Sequence, residues 1–538
     1  MSMGALLVPA LALLGDIESQ YNQLFEDHNA TALDVVANCV ALPDDVAATL
    51  PEGSFIMPSL GQFRMQNMAL NGALDAFGKL SRFTIARGRV CFASRMMQTA
   101  FWNESVATGK VAPGLLFYET TPARGFSGMH NVNAPNDNSY VNTFALGNGK
   151  DARFFGVTDS KIAVTFDPES LDSFSDVKWN DNLDRLTLAL GAAHPLPEPN
   201  GTQPRCMLGV RPQEVAMVER EVLIYRQCPD APERRVKVAK VKTGGQLPYF
   251  HSFGVAPHHA VLPLQPITFD MMAVMTKGDV KDAFKPYHVG TNSTPIVLLP
   301  LDGTSEPTTF HLPKDTYFVH AINSFENATS VVFDATAYNY NFFDDTSLHD
   351  WLNTTTRDGV PKSHRGVATR FAMHLRGPHQ GTVDVTPLSA AGRGTDFPKI
   401  NAAYHAKPYC LYWAVEWWHR PPSSSAELPG EHFSRMAIVR QDVCSGARSY
   451  WYREGSFPSE PTFVARRRSG TTAAGEDTED DGVLLFTVLD GATGTTRLML
   501  VDARTMQTVA EAAAPRDAAI GYTTHGQWYE GVTPQPRV

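Results

Sequence analysis

The chain has 538 residues and a formal net charge of -10, and 43% of its residues are hydrophobic, 10% aromatic and 19% charged. This composition is ordinary for a globular protein, and the length allows a large buried core. The mild acidity, together with the lack of a basic stripe interleaved with aromatic residues, excludes nucleic acid as the expected partner.

The first predicted element is an apolar N-terminus, MSMGALLVPALALLG, of about a dozen residues. It is shorter than the ~20 residues that span a bilayer, and it lacks the basic segment of a typical signal peptide. A weak signal peptide, a surface anchor and a disordered terminus therefore all stay open. Plastid, cytosolic and secretory locations stay open with them. No later segment is typical of a transmembrane helix.

Cysteines and glycosylation sequons bear on the compartment of the protein. The six cysteines do not form CxxC pairs, which excludes zinc-ribbon and thioredoxin-like sites, and we expect free buried thiols. The cysteines are Cys39, Cys91, Cys206, Cys228, Cys410 and Cys444. Sequons of the N-x-S/T type are consistent with secretion without establishing it. They occur at Asn29, Asn103, Asn200, Asn292, Asn327 and Asn353.

From about residue 50 onward the chain is predicted to form many short strands, such as KIAVTFD, TSVVFDATAY and GVLLFTVLD. They are rich in β-branched and aromatic residues and are bounded by Gly, Pro, Asn and Asp. Helical periodicity is confined to short pieces, around Ile17 to Phe25 and Ser347 to Leu352. The size favours a propeller over a single sandwich, because about six to eight minimal blades fit this length. We expect one all-β domain over residues 51–538, after an N-terminal segment of residues 1–50.

Four of the 17 histidines lie in similar surroundings: GAAHP (His194), PYFHSFG (His251), FVHAIN (His320) and THGQW (His525). Each lies at or beside a predicted strand end, next to small residues that allow imidazoles to crowd near an axis. Their separations are far too long for a helical pair such as H-E-x-x-H, but they suit one ligand per blade in a central channel. Alone the pattern is weak, because a histidine beside a strand is usually a hydrogen-bonded structural residue.

The motifs around these histidines resemble the carotenoid cleavage oxygenase family. That family includes apocarotenoid- and stilbene-cleaving oxygenases and the retinoid isomerohydrolase of the visual cycle. The similar segments follow the family order over roughly residues 50–535. They are GAAHPLPEPNG, YFHSFGVAPHHAVLPLQP, VHAINSFEN, DFPKIN, FPSEP followed by EDDG, RLMLVDARTM and HGQWY. The early glycine-rich motifs of the family are degenerate here, so substrate-tunnel residues are not placed.

The resemblance implies a seven-bladed β-propeller with a helical and loop-rich cap over one face. It also implies one non-haem iron(II) per chain, held on the axis by four neutral imidazoles, a ligand type that suits this ion. The implied ligands are His194, His251, His320 and His525. No organic cofactor and no catalytic residue beyond the iron site is implied.

The family also surrounds its iron with three carboxylates that orient the imidazoles. Glu460 in FPSEP matches directly, whereas Asp159 and Asp396 stand where the family usually has glutamate. An aspartate is one methylene shorter, so its hydrogen bond to a histidine is expected to be longer or bridged by water. His258 and His259, which follow the motif of His251, are predicted turn or second-layer residues without a metal role.

The resemblance implies a dioxygenase that uses dioxygen to cleave a conjugated double bond of a carotenoid or apocarotenoid into two carbonyl products. Cleavage of a stilbene or other phenolic olefin, isomerisation and hydrolysis of a retinyl ester, and carotenoid binding without turnover stay open as alternatives. A polyene substrate also suggests peripheral membrane association. The stretch from Val111 to Pro122 is then either an exposed apolar edge or a buried strand.

Aromatic residues flank the histidine motifs, and core packing is their expected role in preference to lining a tunnel. They are Phe250, Phe253, Tyr317, Phe318, Phe325 and Trp528.

Overall fold

Short antiparallel strands joined by tight turns build the fold in the computed structural model. The structure describes residues 17–32, 35–172, 174–183, 187–200, 205–215, 219–288, 293–420, 431–467 and 478–536. The predicted apolar terminus and the sequon at Asn292 lie outside these residues. Among the described helices, none is long and apolar enough to cross a membrane.

The first fifteen strands in chain order are β1 (Cys39–Ala41), β2 (Gly53–Gln62), β3 (Arg64–Met65), β4 (Met68–Ala69), β5 (Phe77–Ala86), β6 (Arg89–Met96), β7 (Asn142–Leu146), β8 (Arg153–Val157), β9 (Ala163–Phe166), β10 (Ser175–Asp176), β11 (Thr187–Ala189), β12 (Leu196–Pro197), β13 (Met207–Val215), β14 (Glu219–Cys228) and β15 (Ala231–Gly244).

The remaining strands are β16 (Gly254–Val255), β17 (His259–Pro263), β18 (Ile267–Phe269), β19 (Phe284–Pro286), β20 (Pro295–Pro300), β21 (Thr308–His311), β22 (Tyr317–Glu326), β23 (Ser330–Tyr338), β24 (Val367–His374), β25 (Val383–Pro387), β26 (Thr395–Lys399), β27 (Leu411–Glu416), β28 (Ala437–Asp442), β29 (Arg448–Trp451), β30 (Ser456–Pro458), β31 (Thr462–Ala465), β32 (Gly482–Asp490), β33 (Thr495–Asp502), β34 (Thr508–Ala513) and β35 (Gln527–Glu530).

These strands form seven sheets of four or five strands, which are the blades of a propeller. Blade 1 contains β1, β6, β5, β2 and, from the other end of the chain, β35. Blade 2 contains β7–β10, blade 3 contains β11–β15, and blade 4 contains β16, β17, β20 and β21. Blade 5 contains β22–β25, blade 6 contains β26–β29, and blade 7 contains β30–β34. The pairs β3–β4 and β18–β19 are separate hairpins. The expected seven-bladed all-β fold is confirmed.

The central strands of the blades are buried on both faces, because each blade packs between two neighbours. All ten residues of β2 and all six of β27 are buried. In β32 the first eight residues are buried and only Asp490 is partly exposed. Burial on both faces explains why β27 (LYWAVE) and β32 (GVLLFTVLD) are largely continuous apolar runs instead of alternating apolar and polar residues.

Short helices and loops connect the strands, and the helical cap is minor. Besides a helix at residues 17–22, the described helices are α1 (Asp44–Thr49), α2 (Ala100–Thr108), α3 (Gly128–Asn133), α4 (Met271–Lys277), α5 (Leu348–Leu352) and α6 (Thr354–Asp358). Both predicted helical pieces are helical: residues 17–22 form a helix that continues into a 3-10 turn, and α5 begins after Ser347. The Ser347 hydroxyl caps α5 by accepting a hydrogen bond from the Asp350 N–H.

The expectation of free thiols is wrong, because all six cysteines are joined as Cys39–Cys91, Cys206–Cys228 and Cys410–Cys444. Each bridge joins two neighbouring antiparallel strands, or their ends, within one blade. Cys39 and Cys91, for example, are direct register partners of β1 and β6. The sequence concealed this pairing because it depends on strand register and not on the spacing of the cysteines.

Removal of the Cys410–Cys444 bridge by the double change to serine is expected to lower the free energy of unfolding by ~3 kcal/mol. The bridge joins residues that are 34 positions apart, which restricts the unfolded chain. Denaturant unfolding with and without reductant measures the effect. Reductant is expected to destabilise the wild type at least as much as this change does, and an unaltered unfolding midpoint in the double variant would contradict the prediction.

Candidate metal centre

Four blades each place one histidine at the propeller axis. His194 lies in the loop between β11 and β12, His251 precedes β16, His320 lies on β22, and His525 precedes β35. Their Nε2 atoms form a closed ring. The distances are 3.1 Å from His194 to His251, 3.0 Å from His251 to His320, 3.2 Å from His320 to His525 and 3.0 Å from His525 to His194. The structure therefore brings together all four histidines of the predicted ligand set.

Three of these imidazoles use their other nitrogen to contact a carboxylate. Nδ1 of His251 lies 2.8 Å from Asp159 Oδ2, and Nδ1 of His320 lies 2.7 Å from Asp396 Oδ1. Nδ1 of His525 lies 3.0 Å from Glu460 Oε1. Since a carboxylate only accepts hydrogen bonds, each of these Nδ1 atoms carries a proton, and in the neutral imidazole Nε2 is then the unprotonated nitrogen.

This protonation state decides what the Nε2 ring can do. An imidazole protonated on Nδ1 presents a lone pair on Nε2, so at least three lone pairs converge within the ring. Lone pairs at these separations repel one another unless a positive charge lies between them. A central point in a ring of this size is ~1.9–2.2 Å from each nitrogen, depending on its puckering, which is the range of metal–imidazole bonds. The residues therefore fit a metal cation.

The electrostatics keep most of the ring neutral in the absence of a cation. Burial lowers the pKa of His194 and His525 well below the usual histidine value, and the neighbouring imidazoles lower it further. Burial also lowers the pKa of His320, an effect that Asp396 only partly offsets. For His251 burial lowers the pKa, but Asp159 together with Asp396 and Glu460 outweighs burial, and the net shift is upward. Neutral imidazoles are the form that binds a metal.

The expectation of longer or water-bridged aspartate contacts is wrong, because both aspartates reach their histidines directly. Asp396 lies at an irregularity between β26 and β27, and the next residue, Phe397, has a φ of 53°. This distortion brings the main chain close enough for the shorter side chain. Asp159 is drawn towards the axis by the loop before His194, where the Ala193 N–H donates to its Oδ1 at 2.9 Å.

Each carboxylate has a further partner that the sequence did not predict. The Tyr249 hydroxyl donates to Asp159 at 2.6 Å. The Tyr338 hydroxyl donates to Asp396. Lys399 Nζ lies 3.3 Å from Glu460 Oε2, although burial still raises the pKa of Glu460 to about 7.

Local sequence offered a signal for two of these three partners. Tyr249 is two residues before His251, and Lys399 is three residues after Asp396, inside the DFPKIN motif. Tyr338 lies at the end of β23 and reaches the site only through its pairing with β22, so no local pattern indicates it.

A cavity of about 630 Å³ lies against the histidine ring and is bounded by His251, His320 and His525. Its walls are mainly aromatic and aliphatic, so it suits an apolar ligand. Aromatic wall residues include Phe101, Phe117, Tyr249, Phe269, Phe284, Tyr338, Phe343, Trp351, Trp417, Trp418 and Tyr522. The aromatic residues that flank the histidine motifs pack instead in the hydrophobic core. They are Phe250, Phe253, Tyr317, Phe318, Phe325 and Trp528.

The stretch from Val111 to Pro122 is neither an exposed apolar edge nor a strand. Its residues up to Thr120 are buried or half-buried and irregular, and Leu115, Leu116 and Phe117 line the cavity. The buried Asp75 carboxylate holds this segment by accepting hydrogen bonds from the N–H groups of Phe117 at 2.7 Å and Tyr118 at 3.1 Å. This apolar sequence therefore shapes the cavity.

Asp75 is expected to make the stability of the protein depend on pH. Burial raises its pKa to about 7, so the folded state binds the proton more tightly than the unfolded state does. The resulting stabilisation is present at low pH and is lost as pH rises through about 7. Relative to Asp75→Asn, the wild type is expected to lose up to ~1.4 kcal/mol per pH unit between about pH 5 and about pH 7. Urea unfolding of both proteins measures this difference, and a constant difference would contradict it.

His258 and His259 do not join the ring. The His258 N–H donates to Glu326 Oε1 at 2.9 Å, and His259 Nδ1 lies 3.0 Å from the same oxygen. Glu326 is the last residue of β22, six residues beyond His320. The histidine-rich stretch thus contributes one residue to the ring and two to a contact between blades 4 and 5.

The fold and the site together define a class of protein: a propeller with an all-histidine candidate metal centre on its axis and an apolar cavity against it. Sequence comparison gives the particular family. Residues 44–530 match the family described as retinal pigment epithelial membrane protein, and the chain belongs to this family of carotenoid oxygenases.

The curated relatives include several carotenoid oxygenases. Carotenoid cleavage dioxygenase 8 homolog B, chloroplastic, of Oryza sativa subsp. japonica is 25% identical over 500 residues, which cover 89% of this chain and 80% of that protein. The carotenoid isomerooxygenase of Galleria mellonella is 22% identical over 498 residues, or 89% of this chain and 91% of that protein. Beta,beta-carotene 15,15'-dioxygenase of Mus musculus is 22% identical over 528 residues, which cover 88% of this chain and 86% of that protein. At the level of the family, the chain is an oxygenase.

Solved structures show the same fold. A mutant of the Synechocystis apocarotenoid oxygenase aligns with a TM-score of 0.76 at 18% identity, covering 95% of this chain and 98% of that chain. The cobalt-substituted form of the same Synechocystis protein aligns with a TM-score of 0.75 at 18% identity and the same coverage.

Proposed function

We propose that this protein binds one iron(II) through His194, His251, His320 and His525 and uses dioxygen to cleave a conjugated double bond of a carotenoid or apocarotenoid. The observation that carries the proposal is the ring of Nε2 lone pairs, closed on itself at 3.0–3.2 Å and facing an apolar cavity. Iron(II) suits this donor set because imidazole is a good ligand for it and the ring offers no thiolate.

The bound iron would supply the activation of dioxygen, and the protein residues prepare the site for it. Asp159, Asp396 and Glu460 fix the orientation of three imidazoles and partly balance the charge of the cation. The fourth imidazole, His194, is fixed by the loop whose Ala193 N–H is bound to Asp159. No additional acid or base is required, because the chain acts by binding and positioning.

The cavity determines which kind of substrate can reach the ring. Its largely apolar walls exclude water and favour a long hydrocarbon, and the relatives named above include enzymes whose names specify carotenoids. Because the cavity touches three histidines of the ring, a polyene lying along it would present a double bond next to the cation. Positioning of one bond is therefore the expected basis of regioselectivity.

The proposal is tested by loading the full-length protein anaerobically with iron(II) and then adding oxygen-18 gas together with carotenoids, apocarotenoids, a stilbene and a retinyl ester. We expect one iron per chain and two carbonyl products that both carry oxygen-18. A parallel reaction is run without dioxygen in oxygen-18 water. Labelled retinol formed from the retinyl ester in that reaction would identify an isomerohydrolase instead. Tight carotenoid binding without any product would identify a binding protein.

We also propose that the protein associates peripherally with a membrane, where polyenes dissolve. The apolar side chains of Met129 on α3 and Met272 on α4 are 50% and 61% exposed, and these two helices contact each other. Exposed apolar side chains on neighbouring short helices suit insertion into the headgroup region of a leaflet. Changing both methionines to serine is therefore expected to reduce flotation with liposomes.

Val385→Ser is the matched control for the methionine variant. Val385 is also an exposed apolar residue, at 42%, but it lies on β25, the outermost strand of blade 5. This variant is expected to float with liposomes like the wild type. Flotation of the double methionine variant equal to that of the wild type would exclude the surface of α3 and α4.

A further inference from the structure

The three disulfides indicate where this protein folds. All six cysteines are paired, and each pair lies within a single blade. Disulfides form and persist in oxidising compartments and are rare in the cytosol. The chemistry proposed for the histidine ring uses no thiol, so the bridges report on the compartment and not on the reaction.

The glycosylation sequons can be ranked by what the structure does with each asparagine. The side-chain amide nitrogens of Asn29, Asn103 and Asn200 donate to Gln62 Oε1, Gln98 O and Pro257 O. Asn353 is half-buried and accepts a hydrogen bond from the Thr356 N–H at the start of α6. In three of these sequons the amide nitrogen is thus engaged, and in the fourth the asparagine is partly covered.

Asn327 differs from these four. It begins the exposed turn Asn327–Ala328–Thr329 between β22 and β23. Its Oδ1 accepts hydrogen bonds from the Thr329 N–H at 2.9 Å, the Thr329 hydroxyl at 3.2 Å and the Ser330 N–H at 2.8 Å. No residue of the described ranges accepts a hydrogen bond from its Nδ2. The side chain is therefore fixed through its oxygen, while its nitrogen faces solvent.

The Asn327 turn is also remote from the cavity. Tyr317 and Tyr338 are register partners at the other end of the β22–β23 hairpin, and Tyr338 lines the cavity. At ~3.3 Å per residue, Asn327 lies about 20 Å or more along β22 from His320. A large group attached at Asn327 would therefore leave the histidine ring and the cavity accessible.

We propose that this protein matures in an oxidising, glycosylating compartment and carries an N-linked glycan on Asn327. The new bond joins Asn327 Nδ2 to the anomeric carbon of an oligosaccharide carried on a lipid pyrophosphate. The bond from that carbon to the pyrophosphate oxygen breaks, the lipid pyrophosphate leaves, and Nδ2 loses one proton. Each disulfide forms with the loss of two protons and two electrons to the thiol–disulfide oxidant of the compartment.

The proposal is tested by expressing the full chain in a eukaryotic cell in two forms, one directed into the secretory pathway by an added signal peptide and one kept in the cytosol. Peptide-N-glycosidase treatment in oxygen-18 water, followed by peptide mass spectrometry, identifies each glycosylated asparagine. Alkylation without reduction identifies free thiols. We expect the lumenal form to carry a glycan at Asn327 and to have no alkylated cysteine, and the cytosolic form to unfold at a lower temperature.

Two sequon variants and one conservative change provide matched controls. Asn327→Gln and Thr329→Ala are expected to remove one glycan from the lumenal protein, whereas Thr329→Ser keeps the sequon and is expected to retain it. Iron loading should be unchanged in all three variants, which separates this proposal from the proposed function. An unmodified Asn327 in folded lumenal protein, or a cytosolic form with free thiols that is equally stable, would overturn the proposal.

Discussion

The variant His251→Ala is expected to lose iron binding and turnover together. Its imidazole supplies one Nε2 of the ring and contacts both His194 and His320 at 3.0–3.1 Å. Removing it opens the ring and leaves the Asp159 carboxylate without its histidine. Loss of a residue that only hydrogen-bonds to a metal ligand lowers metal affinity by ~10–100-fold. Loss of the ligand itself is therefore expected to lower metal affinity by at least ~100-fold. Metal analysis after anaerobic loading and a turnover assay measure the two effects.

His258→Ala is the matched control for this prediction. His258 lies in the same histidine-rich stretch, but its contact to Glu326 uses only the backbone N–H. This variant is expected to load iron and turn over like the wild type. If His251→Ala kept full iron occupancy and turnover, the four-histidine assignment would be wrong.

Asp396→Asn is expected to lower metal affinity and turnover by ~10–100-fold. The Asp396 carboxylate is buried and accepts from His320 Nδ1 at 2.7 Å and from the Tyr338 hydroxyl. An amide of the same shape carries no negative charge to orient the imidazole or to balance the charge of the cation. Titration of the protein with cobalt(II), followed by its visible absorption, measures affinity separately from turnover.

The chain offers a second aspartate–histidine pair as the control for Asp396→Asn. Asp384 Oδ2 lies 2.8 Å from His374 Nε2, but the Asp384 side chain is 67% exposed. Asp384 also lies on β25, the outermost strand of blade 5, whereas His320 lies on β22 at the axis. Asp384→Asn is therefore expected to leave cobalt(II) affinity unchanged. Equal affinity of Asp396→Asn and the wild type would show that this carboxylate does not tune the site.

Much of the fold could be predicted from the sequence, because apolar strands bounded by turn residues are a local signal. The propeller follows from the number of those strands and the length of the chain. The closure of blade 1 could not be read from local signals, since β2 and β35 lie at opposite ends of the chain. The same limit applies to the pairing of Cys39 with Cys91, which depends on how β1 and β6 are aligned.

The parts of the candidate site that lie in short sequence motifs could be predicted, whereas the parts that depend on tertiary packing could not. The four histidines and three carboxylates lie in short motifs that resemble a known family. The cavity wall combines segments from Leu74 to His525, whose packing no local pattern encodes. The apolar stretch at Leu115 shows the difference, because its hydrophobicity alone did not distinguish a surface edge from a cavity wall.

The closure of the propeller determines the order in which the site is assembled. His525 stands just before β35, the strand that pairs with β2 and joins the two ends of the ring of blades. Three imidazoles are already present when translation has passed His320, but the fourth is missing until the chain through Glu530 has emerged and folded back. A nascent chain that has not yet released His525 therefore holds at most three of the four ligands, and the ring is complete only after β35 has paired with β2.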